Sequence, residues 1–243
     1  MIAGVDFTPV WEQRGALLSG IGTMALISVV SFALSIVGGL ILAGMRQSRS
    51  VPIRVAGFVL IQVMRGIALY VLLLWLFFGL AAAGGFQFNP VPAGILALSL
   101  LNSAYMAEVF RAGYDAVPPG QKEAALALGL SRWTWFRTVH LPQVVQVSLP
   151  AMGNVFVDIV KDTSVLSVVG VTELMRESQR WAQFYDLPFE FYTAAAAIYL
   201  AIVLVVTVAW RRLERYSRRH LVHAEATPPR RRLLFGFALP GTR

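Results

Sequence analysis

Apolar residues in this chain occur in long, nearly charge-free runs instead of the stripes or alternation of a soluble protein. Residues 16–45 contain no charged side chain, and residues 55–80 are interrupted only by Arg65. Further runs cover 93–107, 144–160 (no charge before Asp158) and 191–210, which stops abruptly at Arg211 and Arg212. A hydrocarbon core about 30 Å thick needs about 20 apolar residues in a helix. The pattern therefore predicts an all-α integral membrane protein with five transmembrane helices. The segment 81–92, AAAGGFQFNPVP, breaks the pattern with glycine and proline and predicts a turn between spans two and three.

The basic residues set the predicted orientation, because cytoplasmic loops retain Lys and Arg. Arg46, Arg49 and Arg54 lie between spans one and two, and Arg111, Lys122, Arg132 and Arg137 between three and four. The tail after span five is richer still. The opposite side holds Arg14, Arg176 and Arg180, with Lys161 near the boundary. The N-terminus is thus predicted outside and the C-terminus in the cytoplasm, with Trp11, Trp181 and Tyr185 in the outer aromatic belt. Met1–Pro9 lacks the basic start of a secretory signal.

Composition sharpens this picture. The chain is 57% hydrophobic and 14% charged, against about 25% charged in soluble domains. Its net charge of +8 is placed for topology and lipid headgroups, so no nucleic-acid partner is expected. Without cysteine there is no disulfide or thiolate chemistry. No metal site is expected, and His140 is read as a packing or capping residue. No Gly-x4-Gly-Lys-Ser/Thr motif is present, so the chain carries no catalytic residue for nucleotide hydrolysis. Gly38, Gly39 and Gly44 are predicted to allow close helix contacts in span one.

The most informative segment is 118–143, PPGQKEAALALGLSRWTWFRTVHLPQ. Pro118 and Pro119 suit the opening of a short helix. Helix formers follow from Gln121 to Leu128, and Gly129 supplies a left-handed stop. Ser131 is a predicted N-cap for a second short helix that Pro142 ends. Ala124, Ala125 and Ala127 allow close approach, while Trp133, Trp135 and Phe136 offer anchors for a partner.

Glu123-Ala124-Ala125, with Gly129 four residues on and then Leu141-Pro142, resembles the EAA loop of ABC importer permeases. The residues 104–111 (AYMAEVFR), Pro119-Gly120-Gln121, Leu141-Pro142-Gln143 and Lys161-Asp162-Thr163-Ser164 are similar to the polar amino acid permease group. The resemblance spans roughly residues 16–214. It implies the type I ABC importer permease fold with cytoplasmic coupling helices, in a bacterial inner membrane. It implies half of a translocation pathway for an amino acid or similar small polar solute, working by alternating access. Gln121, Glu123, Ala124, Ala125, Gly129, Leu141 and Pro142 would couple to an ABC ATPase dimer. ATP and Mg would be bound there and not in this subunit. A second permease, identical or homologous, and a substrate-binding protein complete the implied set of partners. Residues 1–15 would lie outside, and 215–243 would form a flexible basic tail against anionic headgroups.

Charges inside the spans are functional candidates. Asp158, Lys161 and Asp162 share a helical face, either as a salt-bridged brace or, with Thr163 and Ser164, as a lining of the path or gate. Arg65 calls for a carboxylate on a neighbouring span, Glu108 or Asp158. The similar family carries Arg-Gly-Thr-Pro where this chain has Arg65-Gly66-Ile67-Ala68, so a straighter second span without a proline kink is expected. A passive pore would need no docking loop, and a membrane scaffold would carry few intramembrane charges. The identity of the solute stays open among cationic, acidic and neutral amino acids and osmolytes.

Overall fold

The structure is a computed structural model that describes residues 5–85 and 88–221. The described residues are helical throughout, with no strand. A short helix α1 (Thr8–Glu12) leads into α2 (Arg14–Arg46). A bent pair follows, α3 (Val51–Gly66) and α4 (Leu69–Gly84). Next come α5 (Pro90–Asp115) and the short α6 (Pro119–Ala127). The continuous helix α7 (Arg132–Val169) leads to the amphipathic α8 (Leu174–Tyr185) and finally α9 (Pro188–Leu221). α2, α5, α7 and α9 are each long and apolar enough to cross a membrane, and α3–α4 makes a fifth crossing if the pair is one span.

α5 is the central post. Ala93, Ala97, Leu98, Ala104, Met106 and Ala107 are almost wholly buried along it. α2 lies against α5 through a seam of small residues, with Ser31, Ser35, Gly39 and Ala43 facing inward. A Cβ added at Gly39 would meet the Met106 side chain at 2.6 Å, and one added at Gly38 would strike Ser103. Those two glycines let the helices close as predicted. Gly44 does not belong to the seam, because nothing lies within 4 Å of a Cβ placed there. Ser35 and Ser99 satisfy their hydroxyls on carbonyls one turn back, at 2.7 and 2.6 Å, which suits polar side chains in an apolar interior. α9 is fastened by Trp210, whose indole N–H donates to the Leu149 carbonyl at 2.8 Å. Its ring packs with Phe32 and Phe156 and rests on Gly153.

Two expectations about helix ends need correction. The second span is not straightened by the missing proline. α3 and α4 meet at 101°, with Ile67 and Ala68 in extended conformation between them. Leu72, Leu73 and Leu76 are buried in the main core, so their burial holds the bend that a proline would otherwise favour. Nor does Pro142 end a short helix. One wide π-helical turn, Phe136–His140, precedes it, and the helix runs on through the proline into span four. The last helix also outruns its predicted limit. It continues to Leu221, so residues 215–221 are helical, and the rest of the basic tail (222–243) lies outside the described residues.

Candidate functional site

The loop between α5 and α7 is built on a helix-stop motif. The Leu130 N–H bonds to the Ala125 carbonyl and the Gly129 N–H to Leu126, at 3.1 and 3.0 Å. This pair of bonds needs a left-handed residue, and Gly129 sits at φ +81°. Ser131 then caps α7, its hydroxyl accepting from the Thr134 N–H at 3.1 Å. The predicted left-handed stop and the N-cap are both present.

α6 is tied to the base of α7. The Gln143 amide donates to Gln121 at 2.8 Å, and the Lys122 ammonium lies 5.7 Å from the centre of the Trp135 ring. Ala125 is buried beneath it, whereas Glu123 and Ala124 face outward. Trp135 is turned inward, 8% exposed and packed on His140, so it anchors the segment to its own protein. His140 is itself boxed by Tyr114, Trp135 and Phe136, a packing role as predicted. Leu128 and Trp133 are 82% and 67% exposed. The outward face thus consists of Glu123, Ala124, Leu128 and Trp133. Leu141 and Pro142 stand at the start of the long α-helical part of α7, where it leaves the π turn.

The far end of α7 gathers the polar residues. Asp158 and Lys161 pair at 2.7 Å, and their side chains are 58% and 53% exposed. The predicted ion pair is there, but not as a buried brace. Asp162 is half-buried, with no ion pair among the described residues. Thr163 and Ser164 donate to carbonyls of their own helix, at 2.7 Å each, and Thr163 is fully buried. Arg65 has no carboxylate within 4.0 Å among the described residues, and lies 5.6 Å from the Tyr105 ring centre. The expected pairing with Glu108 or Asp158 fails because each carboxylate has a basic partner one turn along its own helix. Glu108 pairs with Arg111 at 2.7 Å, and Asp158 with Lys161.

One central residue escaped the sequence reading. After the left-handed Gly170, the chain turns and Glu173 caps α8. Its carboxylate is wholly buried and accepts the Met175 and Arg176 N–H groups at 2.8 Å and the Tyr199 hydroxyl at 2.7 Å. Burial pushes this carboxyl above its ordinary value, outweighing the three donors, with the nearby Glu177 adding to the rise. Gly20 gives α2 room beside this cap, since a Cβ there would meet the Leu174 backbone at 2.8 Å. A lone Glu opening an amphipathic stretch was the available signal. Among the described residues no three of His, Asp or Glu converge as a metal site.

Comparison with known proteins adds a family model described as the binding-protein-dependent transport system inner membrane component, which matches residues 35–219. The chain is 34% identical over 211 residues to the glutamine transport system permease protein of Escherichia coli, covering 86% of this chain and 96% of that one. It is 33% identical over 218 residues to the nopaline transport system permease protein of Agrobacterium fabrum, covering 85% and 90%. Among solved structures, an amino acid ABC transporter crystallised with histidines superposes with a TM-score of 0.83 at 33% identity, over 88% of this chain and 100% of that one. A methionine ABC transporter in an inward-facing state superposes at 0.70 with 18% identity, over 85% of this chain and 98% of that one, a likeness of fold alone.

Proposed function

Because the chain belongs to the binding-protein-dependent transport system inner membrane component family, and so is a multi-pass permease subunit of an ABC importer, we propose that its cargo is an amino acid or an amino-acid-like solute. The glutamine and nopaline permeases among its relatives support that class. In these systems ATP is hydrolysed by a separate subunit, and this chain acts as a permease. ATP and Mg are bound by a dimer of that partner. A second permease copy or homologue completes the pathway, and a binding protein delivers solute on the N-terminal side, which faces out.

The observation that carries the coupling role is the face of Glu123, Ala124, Leu128 and Trp133, displayed outside the spans on a turn held by Gly129. Trp133 enters a groove on the ATPase, and Glu123 pairs with a basic residue there. Gln121, Ala125, Leu141 and Pro142 act behind this face, holding α6 to α7. At the other end, an ion pair more than half exposed does not sit stably against lipid. Asp158, Lys161 and Asp162 therefore face the aqueous path or its gate, with Thr163 and Ser164 holding the helix end beneath them. Arg65 and Glu108 stay outside this lining.

Reconstitution with the ATPase and binding protein, followed by uptake of an amino-acid panel, tests the proposal. Leu128→Glu and Trp133→Ala should leave the spans folded and abolish ATP-driven uptake. Uptake at wild-type rates in both, or conduction without nucleotide, refutes it. Cysteines at Leu128 and Phe184, both well exposed, should be labelled from opposite sides of the membrane.

A further inference from the structure

An apolar groove of about 560 Å³ runs between α2 and α7 over the end of α5, lined by Leu40, Gly44, Phe110, Val145, Leu149 and Met152 among others. It reaches Gln47 and Tyr114, and these same two residues line a second, polar pocket of about 430 Å³. The remaining walls of that pocket are Arg46, Arg54, Arg111 and Asp115. Asp115 is taken by Arg111 at 3.0 Å. Neither Arg46 nor Arg54 has a carboxylate within 4.0 Å among the described residues, and Arg46 lies 4.8 Å from the Phe58 ring centre. His140 lines the groove at 3% exposure, and neither ring nitrogen has a hydrogen-bond partner among the described residues.

We propose that this continuous groove and pocket hold one anionic phospholipid of the leaflet on the coupling-loop side. The phosphodiester sits between Arg46 and Arg54, in the polar pocket that adjoins the apolar slot at Gln47 and Tyr114. One acyl chain fills the slot along Leu40 and Met152. His140 meets an ester carbonyl between the two. The charge favours an anionic lipid over a zwitterionic one, because basic pockets between spans select anionic headgroups. A soluble phosphate would use the pocket and leave the slot empty, and a docked protein would have to cover both.

Native mass spectrometry of the full complex, delipidated in detergent and titrated with phosphatidylglycerol or phosphatidylcholine, tests this. Wild type should retain phosphatidylglycerol about thirtyfold more tightly, the ratio expected for two basic side chains at about 1 kcal/mol each. The double variant Arg46→Gln/Arg54→Gln should bind both lipids equally. Gly44→Leu should lose both, since a Cβ at this position meets no atom within 4 Å and the added side chain would occupy the slot that Gly44 lines. Equal retention by wild type, or an unchanged preference in both variants, overturns the proposal. So does competition by millimolar inorganic phosphate as strong as that by phosphatidylglycerol, which would make this a free-anion site. A preference seen in the isolated permease but absent once the ATPase is bound also overturns it, because the surface would then belong to that partner.

Discussion

Replacing Glu173 by Ala is the sharpest test of how the elbow between α7 and α8 is held. The substitution removes the cap of α8, which costs about 0.5–2 kcal/mol. It also strands donors that the carboxylate now satisfies: the Tyr199 hydroxyl, and the Met175 and Arg176 amides. A buried donor left without a partner costs about 1–3 kcal/mol. Local shifts will recover part of this, so the combined loss is set at about 2–5 kcal/mol. For a chain of this length that corresponds to a fall of about 5–15 °C in the melting midpoint. Tyr199→Phe removes a single donor and leaves the carboxylate its two backbone partners, so it should cost about 1 kcal/mol. Thermal unfolding of the detergent-solubilised complex, followed by tryptophan fluorescence, measures both. A Glu173→Ala midpoint within about 2 °C of wild type, or a loss in Tyr199→Phe as large as that in Glu173→Ala, would refute this role for the carboxylate.

Burial raises the Glu173 carboxyl above its ordinary 4.5, so its stabilising contribution is complete below that value and is lost as pH rises through the raised one. Midpoints measured across that window should fall in wild type and stay flat in Glu173→Gln; a wild-type curve that rises refutes the assignment. A Cβ added at Gly129 meets no atom within 4 Å, so the cost set by the backbone in Gly129→Leu is torsional, about 1–2 kcal/mol at a left-handed position. Solute moved per ATP should drop about tenfold in well-folded complexes, and unaltered coupling would count against the turn. Lys161→Met breaks a pair that is more than half exposed, so it should cost at most about 1 kcal/mol, not the 3–5 kcal/mol of a buried pair. Uptake should change while the melting midpoint does not; a midpoint fall beyond about 5 °C would identify a brace.

The spans were legible because lipid solvation writes itself into unbroken apolar runs, and the Gly129 stop and Ser131 cap because both rest on backbone geometry that few residues satisfy. The bend at Ile67 and Ala68 was not. Gly66 ends α3 just before it, a signal too weak to fix a sharp turn inside an apolar run, and the burial of Leu72, Leu73 and Leu76 beyond it holds the bend. Pro142 misled for a related reason, since a π turn upstream absorbs a proline that would otherwise end the helix. Spacing placed Asp158, Lys161 and Asp162 on one face but could not say what that face looks upon. Trp135 and Trp133 are two residues apart and equally aromatic, yet one packs inward and the other outward, a choice made by α6 folding over the base of α7.

The continuity of α7 through Pro142 has a mechanical meaning. From Trp133 to Asp158 the chain is one rod, and 25 residues at 1.5 Å each make it about 38 Å long. Pressing sideways on its base swings the far tip like the long arm of a crowbar, and a tilt of about 5° moves that tip by about 3 Å over this length. Two separate helices would have lost that stroke as slack in the joint between them. Here the left-handed joint at Gly129 lies upstream of the arm, and the place inside it where the backbone can give is Pro150, about two-thirds of the way to the tip.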